Sequence, residues 1–139
     1  MGSKTDKFRK SHEAILKILT DLHNLMDAEK LLKDVAPACK LVSKLCGTLT
    51  MHFAIEERTL FPMIERSKDS NVRSLGAKFH NNAEIKTTFN NYYSKWLLPK
   101  NVQGDIKGFI NATKNFSEAL KAKFENEHRN FYDVVDKSA

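Results

Sequence analysis

The chain has 139 residues, which is enough for one domain to bury an apolar core without a metal or disulfide to hold it together. Hydrophobic residues make up 41% and charged residues 29%, as in soluble globular proteins, and no apolar run approaches the roughly 20 residues of a membrane span. The net charge of +6 comes without a groove-reading motif or an arginine cluster. We therefore expect neither a nucleic-acid partner nor a membrane partner.

The first residues, MGSKTDKFRK, are polar and basic and lack the apolar centre of a signal peptide, so we expect a cytoplasmic protein. The two cysteines, Cys39 and Cys46, lie on one predicted helix about 10.5 Å apart along its axis. A disulfide cannot bridge that distance. Both cysteines are expected to be free thiols, in keeping with a reducing compartment.

Apolar residues recur at helical spacing along most of the chain, and Pro and Gly are sparse. In chain order, the predicted helices span 5–28, 36–66, 71–97 and 105–136. Four long helices with short connections predict an all-α, antiparallel, up-down-up-down four-helix bundle. We expect a single domain over residues 1–139, with no internal repeat.

Two histidines are each followed four residues later by a glutamate: His52 by Glu56 and His80 by Glu84. Four residues turn an α-helix through about 400°, so each pair shares a face and each can hold one metal ion. Imidazole and carboxylate together suit first-row metals such as iron.

The helix lengths indicate which histidines lie at the same depth in the bundle. His12 and His52 are equally far from the predicted first turn, and His80 lies at the level of His52 to within one helical turn. His128 fits this level less well. His23 lies about 16 Å along the axis from His12, so we place it outside the metal site.

Two other interpretations compete with a histidine-rich metal site of this kind. A single histidine on an apolar stripe is usually an ordinary core residue. A histidine at compatible depth on each of four helices is unlikely to arise by chance. The carboxylate-rich ferritin-like bundle needs Glu-x-x-His on two helices, and this chain has it once, at Glu125 and His128. Glu57 is interpreted as a solvated or supporting carboxylate.

Four segments, SHEAILKIL, HFAIEERTLFP, FHNNAEIKTTF and EHRNFYDVV, span nearly the whole chain in this order. Together they resemble the hemerythrin or hemerythrin-like (HHE cation-binding) family. The resemblance implies an antiparallel four-helix bundle around two non-haem iron ions with an oxo or hydroxo bridge. It also implies a small ligand, namely O2, NO or peroxide.

The resemblance implies a set of metal ligands in this chain. One iron would be held by His12 and His52, the other by His80, Glu84 and His128, and the bridging carboxylates would be Glu56 and Asp133.

Two positions depart from the pattern of hemerythrin itself. Glu84 stands where hemerythrin has a second histidine, and Tyr132 lies four residues after His128, with Asp133 one step further. A regular helix turns Asp133 about 140° away from the His128 face. Asp133 could reach the metals only through a distortion such as a π-bulge. We expect Asp133 as the bridge and keep Tyr132 as an alternative, phenolate ligand.

Counting these ligands leaves an open position on the iron of His12 and His52, which a reactive metal site requires. We therefore expect a protein that binds or senses O2, NO or a related oxidant. The alternative is a di-iron oxidase or a peroxidase-like enzyme, favoured by the added negative charge of Glu84. A purely structural bundle is the third and least favoured class, and whether the protein is an enzyme stays open.

Overall fold

The structure is a computed structural model that describes residues 4–81 and 83–138. These residues contain helices and no strand. The helices are α1 Asp6–Asn24, α2 Ala28–Lys33, α3 Ala36–Ile55, α4 Phe61–Glu65, α5 Ser70–His80, α6 Ala83–Trp96, α7 Pro99–Gly104, α8 Ile106–Glu127 and α9 Asp133–Lys137. Two π-helical segments, Glu56–Leu60 and His128–Tyr132, join α3 to α4 and α8 to α9.

The chain is an all-α four-helix bundle, as the sequence predicts. Its four long arms are α1, α3 with α4, α5 with α6, and α8 with α9. The arms pack in a ring, because α1 contacts α3, α3 contacts α6, α6 contacts α8 and α8 returns to α1. In the described part of the chain no helix is both long and apolar enough to cross a bilayer.

The third arm differs from its prediction. One continuous helix was expected over 71–97, but α5 ends at His80 and α6 begins at Ala83. The first predicted helix is also shorter than expected, because α1 ends at Asn24 and α2 is a separate helix. Both cysteines are free, as expected from their spacing.

Aspartate side chains mark the starts of three helices. Asp27 accepts hydrogen bonds from backbone N–H groups of α2, Asp69 from those of α5, and Asp105 from the N–H of Gly108 in α8. These caps satisfy backbone donors that have no partner within the helix, and typically contribute about 1 kcal/mol each. The caps at Asp69 and Asp105 mark where two of the long arms begin, and the cap at Asp27 marks the start of the short helix α2.

The core consists of two apolar clusters, one towards each end of the bundle. The larger cluster includes Ile15, Leu49 and Phe124, and the smaller one includes Phe8 and Leu60. On each of three arms the nearest buried members of the two clusters are seven residues apart, which is about two helical turns. The buried polar residues that lie in or next to this interval between the two clusters are His12, His52, Glu56 and Glu127.

Two helical glycines provide a matched test of the packing. Gly76 in α5 is buried, and a Cβ added there would collide with the Ile64 side chain of α4, whereas a Cβ at Gly47 in α3 meets nothing. We predict that Gly76→Ala lowers the free energy of unfolding by about 1–3 kcal/mol through overpacking. Gly47→Ala should raise it by up to about 1 kcal/mol, because alanine favours the helix. Urea denaturation of both variants measures the difference. Equal effects would contradict the packing of α4 on α5.

Candidate metal centre

A group of polar side chains lies between the two apolar clusters at the middle of the bundle. We call it the central cluster, and its members are His12, His52, Glu56, Glu127, His128 and Tyr132. All except His128 are at most 1% exposed, and His128 is partly exposed. Fully buried carboxylates and imidazoles are rare without a function, because burial costs them their hydration.

Three of the four arms supply the central cluster. His12 lies in the middle of α1, while His52 comes from the last turn of α3 and Glu56 begins the first π-helical segment. The last residue of α8 is Glu127, and the second π-helical segment carries the remaining two members. The arm made of α5 and α6 contributes none of these six side chains.

The three imidazoles form a hydrogen-bonded chain. His12 Nδ1 lies 2.8 Å from His128 Nε2, and His12 Nε2 lies 3.2 Å from His52 Nε2. The chain ends where His52 Nδ1 meets the Ser11 hydroxyl at 2.9 Å. Either direction of donation satisfies every member, provided that each imidazole is neutral.

Burial keeps these imidazoles neutral. It lowers the pKa of His12 to about 2, with further lowering by the nearby His52 and His128. Burial, followed by the charge of Lys123, lowers the pKa of His52 to about 4. The pKa of His128 is also lowered, chiefly by burial. At neutral pH each ring therefore offers a nitrogen lone pair, the form in which histidine binds metals.

The two carboxylates of the cluster lie near histidine rings without forming hydrogen bonds to them. Glu56 Oε1 lies 3.5 Å from His52 Nε2, and Glu127 Oε1 lies 3.6 Å from His12 Nε2. Despite these approaches, none of the four carboxylate oxygens makes a hydrogen bond of normal geometry. Burial raises the pKa of both groups, and the charge of Glu127 raises that of Glu56 further.

Tyr132 packs against His12 at one side of the cluster. Its hydroxyl lies 3.4 Å from His12 Nε2, and the ring is fully buried. Burial and the neighbouring charges of Glu127 and Glu56 raise the pKa of its phenol above the ordinary value. The group is a phenol rather than a phenolate at neutral pH.

The second π-helical segment determines which side chains face the cluster. The Asp133 N–H donates to the His128 carbonyl, the five-residue bond that defines a π-helix. This wider turn brings residues five apart onto one face. The inward face carries Glu127 and Tyr132, His128 lies at its edge, and Asp133 is exposed.

The structure does not bring Asp133 to the cluster. A distortion after His128 was expected to turn Asp133 inwards, and the distortion is present, but the Asp133 side chain is 50% exposed. Its carboxylate pairs with Arg9 at 2.9 Å, and Arg9 also binds Asp136. Tyr132, the alternative ligand, occupies the inward position instead.

His80 and Glu84 also lie apart from the cluster. The His80 side chain is 38% exposed, stacks on the Phe61 ring and places Nε2 2.8 Å from a Glu57 oxygen. Glu84 is exposed. The expectation that these two residues share a helix face is wrong, because α5 ends at His80 and Glu84 belongs to α6.

The sequence analysis overlooked Glu127, although the sequence contains a signal for it. The buried stripe of α8 continues at helical spacing through Leu120 and Phe124 to Glu127. A carboxylate in register with buried apolar residues is unusual. His23, placed outside the site by its depth, is exposed on α1.

The described residues hold no group of three or more His, Cys, Asp or Glu side chains already arranged around a single ion. The imidazoles of the central cluster contact one another, and the carboxylates approach them from both sides. The donors are nevertheless adjacent, because each carboxylate has an oxygen 3.5–3.6 Å from an imidazole nitrogen. Nitrogen and oxygen donors of this mixture suit iron and similar metals.

Comparison with known proteins gives one match. A family model described as the hemerythrin HHE cation binding domain matches residues 3–135. Among curated proteins and among solved structures, none matches the chain. The matched region contains every member of the central cluster.

The buried carboxylates give the metal-free protein a defined pH dependence. Burial raises the Glu56 pKa from its ordinary 4.5 to about 8, so between these values the folded state holds a proton that the unfolded state has lost. Stability should therefore fall as pH rises through this window. His12 and His52, whose folded pKa values are lowered from 6.5, oppose this trend only below pH 6.5.

We predict that the unfolding free energy of metal-free protein falls by about 1 kcal/mol per pH unit between pH 6.5 and about 8. Glu56→Gln should remove much of this slope, because the amide carries no titrating proton. Urea titrations in the presence of a chelator measure the slope. The exposed variant Glu118→Gln serves as the control. A flat profile for the unsubstituted protein would contradict the burial of Glu56.

Proposed function

The chain belongs to the hemerythrin HHE cation-binding family, and on this premise we propose that its central cluster binds iron and presents it to a small oxidant. The proposed ligands are His12, His52, Glu56 and Glu127, with His128 and Tyr132 at the edge. The family membership supports metal binding in general. The choice of iron and of these residues is our proposal.

The observation that carries the proposal is the lack of hydrogen bonds to Glu56 and Glu127. Their four oxygen atoms are buried without such a partner. Ionising both groups here is costly, because each has lost its hydration and the two charges would repel. Lys123 lies 3.5 Å from Glu127 and offsets one of the two charges. A bound cation would supply positive charge beside Glu56, and the neutral imidazoles next to it would provide nitrogen ligands.

The proposed ligand set differs from the one that the family resemblance implied. The expectation of two irons assigned His80, Glu84 and Asp133 to the centre. In the structure, His80 pairs with Glu57, Asp133 pairs with Arg9 and Glu84 is exposed. The proposal keeps the iron and moves its ligands to the central cluster. It does not depend on a second iron.

A groove of about 480 Å³ provides an approach for small molecules. It lies between α8 and the arm of α5 and α6, and its lining includes Phe79, Glu84 and Lys123. Lys123 Nζ lies 3.5 Å from Glu127 Oε1, so the groove and the central cluster share this wall. O2, NO and peroxide are small enough to use such a route. When bound, iron would supply the position at which they bind.

The alternative function, a di-iron oxidase or peroxidase-like enzyme, rested on Glu84 as an extra anionic ligand. Glu84 lies outside the central cluster, so this support is lost. Tyr132 is buried beside the proposed metal, but a buried phenol does not by itself distinguish an oxidase from a carrier or sensor. We therefore propose binding or sensing as the function.

We predict that protein loaded with ferrous iron under anaerobic conditions retains it through gel filtration. His52→Ala and Glu56→Ala should each weaken iron binding by more than about tenfold, since even residues that only support metal ligands are typically worth about 10–100-fold. Elemental analysis and a competing chelator measure the change.

His23→Ala is the matched control, because His23 lies on the same helix as His12 but is exposed. It should retain iron fully. His80→Ala should retain iron as well. Loss of iron in His80→Ala, with full retention in His52→Ala, would contradict the proposed ligand set.

A second prediction concerns the small ligand. Addition of NO to the anaerobic ferrous protein should produce a new visible absorption that is absent from iron-free protein, because the proposed site leaves a position for it. Removal of NO should reverse the change. An iron-loaded protein whose spectrum responds to none of NO, O2 and peroxide would contradict the binding function.

A further inference from the structure

Two ten-residue segments of the chain correspond to each other. The segment 52–61 reads HFAIEERTLF and the segment 123–132 reads KFENEHRNFY. Both have Phe at the second position, Glu at the fifth and Arg at the seventh, and both end in two large apolar or aromatic residues. No internal repeat was predicted from the sequence, and this correspondence covers only ten residues in each segment.

The structure repeats along with the sequence. Each segment leaves a long α-helix and enters a π-helical turn. The glutamates at the fifth position, Glu56 and Glu127, are each 1% exposed and face the same cluster. The ninth residues, Leu60 and Phe131, are fully buried. The two segments therefore occupy equivalent places on two arms of the bundle.

The first position of the two segments differs in chemistry. His52 Nε2 lies 3.5 Å from Glu56 Oε1, and Lys123 Nζ lies 3.5 Å from Glu127 Oε1. The Lys123 side chain is only 17% exposed, so its charged end is held towards the cluster. A lysine ammonium thus stands in the second segment where the first has a metal-binding imidazole.

An ammonium group and an imidazole have opposite effects on a nearby metal. A neutral imidazole offers a lone pair, whereas a protonated lysine has three donors and no acceptor. The ammonium also repels a cation in a buried site, where charges are weakly screened. Beside Glu127, Lys123 supplies a positive charge of its own and withholds a ligand.

We propose that Lys123 takes the place of a second metal ion, so that the centre holds one iron, bound on the His52 and Glu56 side. The inference rests on the proposed iron-binding function and specifies its stoichiometry. Two buried carboxylates carry two negative charges, and the ammonium balances one of them permanently. One ferrous ion beside that ammonium already outweighs the two negative charges, so a second ferrous ion would add uncompensated positive charge in a weakly screened site.

The test introduces an imidazole in place of the Lys123 ammonium. Lys123→His copies the His52 position, and the matched control is Lys121→His on the exposed face of the same helix. Protein is loaded anaerobically with ferrous iron, and bound iron per folded chain is measured. We expect about one iron in the unsubstituted protein and in Lys121→His, and about two in Lys123→His.

Mössbauer and electron paramagnetic resonance spectra provide a second readout, independent of activity. After oxidation, the unsubstituted protein should show an isolated ferric ion, and Lys123→His should show magnetic coupling between two adjacent ions. Coupling in the unsubstituted protein would overturn the inference.

The outcomes separate the inference from the function on which it rests. Two irons in the unsubstituted protein, or one iron in correctly folded Lys123→His, would overturn the role of Lys123 and leave iron binding intact. No iron in the unsubstituted protein would overturn both. If Lys123→His does not fold, the iron content and spectrum of the unsubstituted protein decide alone.

Discussion

Two carboxylates are buried beside three imidazoles at the middle of the bundle, and this burial determines how much stability the surrounding apolar packing must supply. Glu56 and Glu127 lie between two apolar clusters and have no normal hydrogen-bond partner. An apolar core would be more stable at this level, so the polar residues reduce stability in the metal-free protein. Such a cost is typical of sites where function, rather than folding, determines the residues. The two apolar clusters therefore have to supply the stabilising free energy that this polar layer does not.

The two π-helical turns give this level its geometry. They lie on two arms at equivalent positions, one beginning at Glu56 and the other following Glu127. Single π-turns within α-helices are frequent at functional sites, because the wider turn redirects side chains that a regular helix would present elsewhere. In the second turn this redirection places Tyr132 inwards and leaves Asp133 paired with Arg9. The equivalence of the two arms ends at Lys123, which makes the centre electrostatically asymmetric.

Helical periodicity was sufficient to predict the long arms and the meeting of His12 with His52, because regular α-helices translate residue spacing directly into depth and face. It failed where the helix is not regular. The break after His80 separates that residue from Glu84, and the π-turn selects Tyr132 rather than Asp133. Spacing alone cannot reveal either irregularity, since both depend on packing between arms. Glu127 was different, because its place on the buried stripe of α8 was readable from the sequence.

The proposed metal site is the buried cluster and not the surface pair of His80 and Glu57. The most direct measurement is an anomalous-difference map at the iron edge from crystals of iron-loaded protein. We expect one iron peak in the cluster, within bonding distance of the Glu56 carboxylate and the His52 ring. An iron peak at His80 and Glu57, with none in the cluster, would contradict this expectation.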